Sequence, residues 1–260
     1  MAKQPSTLYD TPDLYDLLSD GVDGDVAYFS KLAKKAGKVL ELAAGTGRVT
    51  IPMARAGAAV TALEIAPMML EACGEKVDRE APDVIKRLTL LEGDMRKFDL
   101  KTRFPLIVIP FRAFQHLHET AEQRSCLEHC RKHLAPKGRL VVNLFDPNLR
   151  VLAENVGPNA SAMRKVGETE VPGGRVVAYA CRVACPEEQR FEEQWIYEKF
   201  DDQGRSLWRR ARRIKLRYFF RYEMEHLFEL SGLVVEKLEG GFKGQPYKHG
   251  SEQLWTVRKP

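Results

Sequence analysis

The sequence predicts an α/β protein, a doubly wound, mostly parallel sheet of seven strands with an inserted antiparallel β lid. Three observations carry this. Short apolar runs alternate with amphipathic segments up to about residue 150, the grammar of parallel strands joined by helical crossovers. From 151 to 217 the pattern becomes long stretches of alternating polarity, as in antiparallel strands. A helix and two strands then return. The expected core is therefore 1–150 with 218–260, and 151–217 is the inserted lid or substrate subdomain.

The elements follow in order. Residues 12–20 and 24–36 read as short amphipathic helices, with Leu14, Leu17 and Leu18 on one face and Gly37 ending the second. "KVLEL" (38–42) is strand one, apolar enough to be buried on both faces. A helix over 48–57 tolerates Pro52 in its first turns. Strand two is 58–63, a helix 67–80, strand three 88–92 and strand four 106–110. The helix over 119–134 is stopped by "APKG", and strand five is 139–145. In the insertion, strands are expected over 175–184, 189–200 and 207–217. "DDQGR" turns the last two into a hairpin. A helix over 221–231, capped by Gly232, and strands over 233–238 and 253–257 complete the core. The insertion is expected over the sheet's carboxyl edge, where open α/β sheets bind ligands.

Composition sets limits. The chain has 260 residues, 44% apolar and 30% charged, with a net charge of +5. These values suit a soluble globular chain and permit an anionic partner without requiring one. No apolar run approaches the ~20 residues of a membrane span, and the first residues lack an apolar signal core, so the expected location is cytoplasmic. Five cysteines without a CxxC pair read as free thiols in a reducing compartment. Cys126, His129, Cys130 and His133 share one helical face at metal-ligand spacing. Leu127, Cys130 and Leu134 mark that stripe as buried, so no metal is expected.

The stretch "VLELAAGTGRVT" raises the question of which nucleotide the fold takes. A dinucleotide loop has a third glycine three residues after the second, where this sequence has Thr50. Glu41, just before the turn, would repel a pyrophosphate but attract a sulfonium or ammonium. Glu64, at the end of strand two, can accept both hydroxyls of a ribose. Asp94, after strand three, suits an adenine amine, and Ile65, Met69 and Met95 can sleeve the ring.

"LELAAGTGRVT", "LEIAPMMLEAC", "LEGDM", "IPFRAFQHL" and "HLAPKGRLVVNLFDP" occur in order and at suitable spacing. They resemble successive motifs of the class I S-adenosylmethionine-dependent methyltransferases, in their small-molecule branch. The resemblance covers about residues 9–150 and the closing strands. It implies a Rossmann-like fold, S-adenosylmethionine as methyl donor, and transfer to an N, O or S atom of a small acceptor. The cofactor residues it implies are Glu41, Ala43 (where the family often has glycine), Gly45, Gly47, Arg48, Glu64, Ile65, Met69, Asp94, Met95 and Pro110. Pro105 stands where the family often has an acid before strand four.

The sulfonium is already activated, so the protein has to align a nucleophile and, where needed, take a proton. His116, after strand four, is the candidate base, on the argument that an unshifted imidazole pKa suits neutral pH. Tyr15, in a helix that in this family folds over the cofactor, is the second catalytic candidate. Substrate candidates are Arg112, Phe145, Arg217, Tyr218 and Arg221, which suit an anionic group. "RRARRIKLRYFFR" holds seven cations in thirteen residues and raises an alternative, an RNA or protein methyltransferase using the basic hairpin 207–221. The acidic strand before it, "EEQRFEEQWIYEKFDD", is expected to absorb most of that charge by cross-strand pairing. A further alternative is a non-catalytic cofactor-binding protein or an NAD-dependent oxidoreductase. The expected assembly is a monomer or homodimer.

Overall fold

The computed structural model describes residues 7–18, 20–157 and 162–260. In chain order its elements begin with α1 (Pro12–Leu18), α2 (Asp25–Ala36), β1 (Lys38–Leu42), α3 (Thr50–Arg55), β2 (Ala59–Glu64) and α4 (Pro67–Val77). Next come α5 (Pro82–Ile85), β3 (Leu88–Glu92), β4 (Phe104–Ile109), α6 (Thr120–His133) and β5 (Leu134–Phe145). After α7 (Leu149–Glu154) follow β6 (Arg164–Val171), β7 (Gly174–Cys185), β8 (Arg190–Phe200) and β9 (Ser206–Arg217). The chain closes with α8 (Arg221–Leu230), β10 (Val234–Glu239) and β11 (Glu252–Arg258).

Contacts divide the chain into two compact units, Gly21–Asn148 with Tyr218–Pro260 and Met1–Asp20 with Leu149–Arg217. The larger unit holds a seven-stranded sheet in the order β10-β11-β5-β4-β1-β2-β3. β1 pairs in parallel with both β2 and β4, and only β11 runs antiparallel to its two neighbours. The strand order reverses between β1 and β4, which makes a crevice at their carboxyl ends. β1 is buried along four of its five residues, as an apolar strand covered on both faces must be. One face packs Leu40, Leu42, Ile107, Leu140 and Val142 against Leu127 of α6 and Phe228 of α8. The other packs Val39, Val60, Val108 and Val141 against Phe29 of α2 and Met53 of α3.

The smaller unit is a meander in the order β6-β7-β8-β9. It has four strands where the sequence pattern showed three. The extra one, "RKVGETEV", is almost wholly exposed or half-exposed, so it has no apolar periodicity to betray it. The N-terminal segment also departs from expectation. Leu8 and Leu14 cluster with Val176, Ala178 and Tyr197, so residues 7–18 belong with this sheet rather than with the parallel core. Tyr15 packs at the edge of that cluster.

The expected neutralisation of the basic hairpin is corrected as well. Lys215 pairs with Glu192 at 3.1 Å, but Arg209, Arg210 and Arg213 stand exposed with no carboxylate partner among the described residues. Glu192 and Glu193 are already engaged by Arg190 and Arg182. Arg212 instead donates to Thr11 Oγ1, and Arg210 lies 4.8 Å over Trp208.

Candidate cofactor and acceptor site

The first cluster forms where β1 and β2 end. Ala43, Gly45 and Gly47 all have positive φ, so the chain reverses tightly there. A Cβ on Gly47 would lie 2.6 Å from Cys73 Sγ, which only glycine avoids. Ala43 holds the same left-handed region with a methyl group, a local strain of about 1 kcal/mol. Ala44 N–H donates to the Leu63 carbonyl and ties the loop to β2.

Glu64 braces this loop. It is 7% exposed and accepts from Gly45 N–H at 2.7 Å and from Ile65 and Ala66 N–H, each at 2.9 Å. A carboxylate offers about four lone-pair positions, so one remains for a ligand hydroxyl. Glu41 lies behind the loop, 1% exposed, and accepts from Thr50 Oγ1 at 2.5 Å. Burial pushes its pKa up to about 8, against the opposing pull of Thr50 and Arg48. Below that pH it is a neutral acid here, and a cation beside it would expel its proton.

Arg48 is half-buried and already paired. Its guanidinium grips Asp25 with two bonds, 2.9 and 2.6 Å, and lies 4.7 Å from the Phe111 ring centre. Asp25 is 2% exposed and also takes the Val22 and Val26 N–H groups at the start of α2. The sequence reading missed Asp25; an acid at the head of a helix is too common a cap to stand out.

Asp94 is held as well. It accepts from Arg96 N–H at 2.8 Å and from Arg96 Nε at 3.0 and 2.8 Å. Burial pushes its pKa up, but the bonds from Arg96 outweigh burial and hold it below the ordinary range. Arg96 bridges onward to Glu122, which also accepts the His118 and Glu119 N–H groups at the head of α6. Met69 is buried with its Cε against the Gly45 turn, and Met95 is half-buried. Ile65, by contrast, is 54% exposed.

The second cluster follows β4. After buried Pro110, Phe111 and Arg112 both have positive φ, 49° and 66°. Two successive non-glycine residues in that region are uncommon, and such strain gathers at functional sites. Arg112 donates to Glu252 Oε1 at 2.6 Å and lies 5.4 Å over Phe145. Asn143 Nδ2 donates to Glu252 Oε2 at 2.8 Å. Arg112 Nε and Asn143 Oδ1 are buried yet have no hydrogen-bond partner, a donor and an acceptor in one cluster. Gln115, fully buried, accepts from Phe145 N–H at 3.0 Å and ties the short turn Ala113–His116 to the end of β5.

His116 ends that turn. Burial, reinforced by neighbouring His118, lowers its pKa to about 4. The premise of an unshifted imidazole is therefore corrected: this ring is neutral at pH 7 and a weak base. Of the other substrate candidates, Tyr218 is 3% exposed and stacked edge-on with Phe220. Arg221 pairs with Glu225 and packs over Tyr222 and Tyr247. Arg217, at the end of β9, donates to the Glu188 carbonyl and Gln189 Oε1 within the smaller unit.

Asp146, one residue beyond β5, is a hub the sequence did not flag. It is 4% exposed and accepts from Tyr247 Oη at 2.8 Å, Gly250 N–H at 2.7 Å and Gln253 Nε2 at 2.6 Å. Burial and this bond push the Tyr247 phenol upward. Asp146 thus fixes the loop between β10 and β11 against the same sheet edge.

A carboxylate-ended, glycine-lined turn at a sheet switch point, next to a strained polar loop, defines a nucleotide-type site without the third loop glycine of a dinucleotide fingerprint. Comparison with known proteins agrees. Residues 39–138 match the family model described as a methyltransferase domain. Over 241 residues the chain is 30% identical to the dTDP-3-amino-3,6-dideoxy-alpha-D-glucopyranose N,N-dimethyltransferase of Streptomyces fradiae, covering 90% of this chain and 87% of that one. The fold superposes on the CcbJ methyltransferase of Streptomyces caelestis with a TM-score of 0.81, at 23% identity, over 97% of this chain and 98% of that one. It also resembles the glycopeptide N-methyltransferase MtfA, solved with S-adenosyl-L-methionine, with a TM-score of 0.58 and 26% identity over 92% and 95% of the two chains. The chain belongs to the class I S-adenosylmethionine-dependent methyltransferases, and it transfers a methyl group to a small-molecule acceptor. Its methyl donor is S-adenosylmethionine.

Proposed function

We propose that the acceptor is an amine on a small polar molecule, with amino sugars as the leading class. The observation that carries this is the Arg112–Glu252–Asn143 cluster, whose buried unpartnered donor and acceptor suit a polar, hydroxyl-bearing ligand. The Streptomyces fradiae relative, which acts on an amino sugar, supports the same class.

S-adenosylmethionine, when bound, supplies a methyl group on a positively charged sulfur. In this reading Gly45 and Gly47 admit the cofactor close to the backbone, with Ala43 and Pro110 shaping the turn ends. Glu64 adds a ribose hydroxyl to its three backbone bonds. Met69, Met95 and Ile65 border the adenine, and Asp94 receives its amine while Arg96 keeps it ionised. Glu41 loses its proton to become the counter-charge of the cationic methionyl end. Arg48 acts through Asp25 and Phe111, holding α2 on the loop.

On the acceptor side Arg112 and Glu252 orient hydroxyls beside Phe145. His116, neutral across the physiological range, accepts a hydrogen bond from the amine N–H and aims its lone pair; a ring of such low pKa positions the amine rather than storing its proton. Tyr15, Arg217, Tyr218 and Arg221 remain candidates for acceptor contact, with an anionic group on the acceptor as their partner. A cytoplasmic location and a monomer or homodimer complete the proposal. Among the described residues no helix is long and apolar enough to cross a membrane. The test is S-adenosylhomocysteine release with dTDP-3-amino-3,6-dideoxyglucose against dTDP-glucose, which lacks the amine. Equal turnover of the two would sink the amine assignment.

A further inference from the structure

A cavity of 360 Å³ opens at the opposite edge of the parallel sheet from the cofactor loops. Its walls come from the segment just before β4 and from the last turn of α6, both at the amino-terminal edge. Phe98, His129 and His133 form a ring stack in its wall, with centroids 5.4 Å and 4.6 Å from Phe98 to the two imidazoles. His133 Nε2 accepts from Leu100 N–H and His133 Nδ1 faces the His129 carbonyl, so both ring nitrogens are already engaged. The charge comes instead from Lys101, Arg103 and Lys132, which line the cavity and are exposed.

None of these three cations has a carboxylate partner among the described residues, and the one acid in the wall, Asp99, lies 3.8 Å from His133. More positive charge stands close by. Arg131 is also exposed, with no carboxylate partner among the described residues, and Lys38 at the start of β1 donates to Thr102 of the cavity wall. Lys259, bonded to the Leu134 carbonyl, has its pKa lowered first by burial and then by Arg103 and Arg131. Like charges so crowded repel one another, and a multivalent anion relieves that repulsion.

The geometry points to a binding site for a phosphoryl anion in this cavity, with the cations holding a diphosphate and the half-buried His129, the exposed edge of the ring stack, available to a base attached to it. It is separate from the cofactor loops and from the Arg112 cluster. The methyl-transfer reading does not use it.

Thermal shift and calorimetry on the whole chain test this, with inorganic pyrophosphate and dTDP as probes and sulfate at matched ionic strength as control. Pyrophosphate is expected to raise Tm saturably, and sulfate is not. The Lys101→Ala, Arg103→Ala, Lys132→Ala triple variant is expected to lose at least about tenfold in pyrophosphate affinity, since charge-assisted bonds are removed. Its response to S-adenosylhomocysteine should stay unchanged, which separates this site from the cofactor site and reports folding. Should the triple variant fail to fold, Lys132→Ala alone, exposed on α6, carries the same comparison. Tighter binding of dTDP than of pyrophosphate that is lost in the triple variant would assign the His129 side of the cavity to a nucleotide, dTDP binding retained by the variant belonging to the acceptor site, and equal binding would assign the cavity to the bare phosphoryl group. An equal shift with sulfate, or undiminished affinity in the variants, overturns the proposal.

Discussion

Glu64 Oε2 accepts a 2.7 Å hydrogen bond from Gly45 N–H, so the acid ending β2 holds the glycine turn that follows β1. The side chain expected to meet the cofactor also builds the loop that receives it. Glu64→Gln keeps the shape but loses the charge that strengthens three backbone bonds. S-adenosylhomocysteine affinity by calorimetry should fall at least about tenfold, and further in Glu64→Ala. Unchanged affinity in both variants would remove Glu64 from the cofactor site.

Asp25→Asn leaves the Arg48 guanidinium without its bidentate partner and weakens the head of α2. Arg48 is one-fifth exposed, so water recovers part of the loss. A destabilisation of about 1–3 kcal/mol is expected from urea midpoints, less than for a fully buried pair. A change under a few tenths of a kcal/mol would show the pair to be ornamental.

Glu41 and His116 set opposite pH trends. The folded pKa of Glu41 is raised to about 8, so between about 4.5 and 8 the folded protein keeps a proton that the unfolded chain releases. Stability contributed by Glu41 is therefore full at low pH and lost as pH rises through that window. His116, lowered to about 4, is protonated in the unfolded chain but not in the folded one between about 4 and 6.5, so its contribution is lost as pH falls. Above pH 6.5 only Glu41 acts. Glu41→Gln should flatten the fall in stability from pH 6.5 to 8, measured by urea unfolding. An identical slope in wild type and variant would contradict its raised pKa.

Glu252→Gln removes the charge shared by Arg112 and Asn143 and touches nothing in the glycine turn. The acceptor KM should rise by about tenfold while S-adenosylhomocysteine affinity holds, measured with the amino-sugar nucleotide. Loss of cofactor affinity instead would place Glu252 in the wrong half of the site.

Much of the core was legible in the sequence because its strands are short and apolar. β1 and β3 begin and end where the pattern put them, and the acids Glu41, Glu64 and Asp94 do sit at or just beyond the ends of the first three strands. Their partners were not legible. Asp25 and Arg48 are 23 residues apart, and Arg112 and Glu252 are 140 apart, so only the folded topology brings them together. The Asp146–Gln253 bond spans 107 residues in the same way. β6 escaped notice for another reason, since an edge strand with little buried surface needs no apolar alternation.

The arginines of β9 that found no carboxylate have a consequence for crowded solutions. β9 is the last strand of its sheet, and among the described residues its outer edge carries one isolated bridge, Thr7 to Arg213. A second copy zipping on would bring Arg209, Arg210 and Arg213 face to face with their own kind. Their mutual repulsion opposes that pairing, the protection that charged side chains give an edge strand.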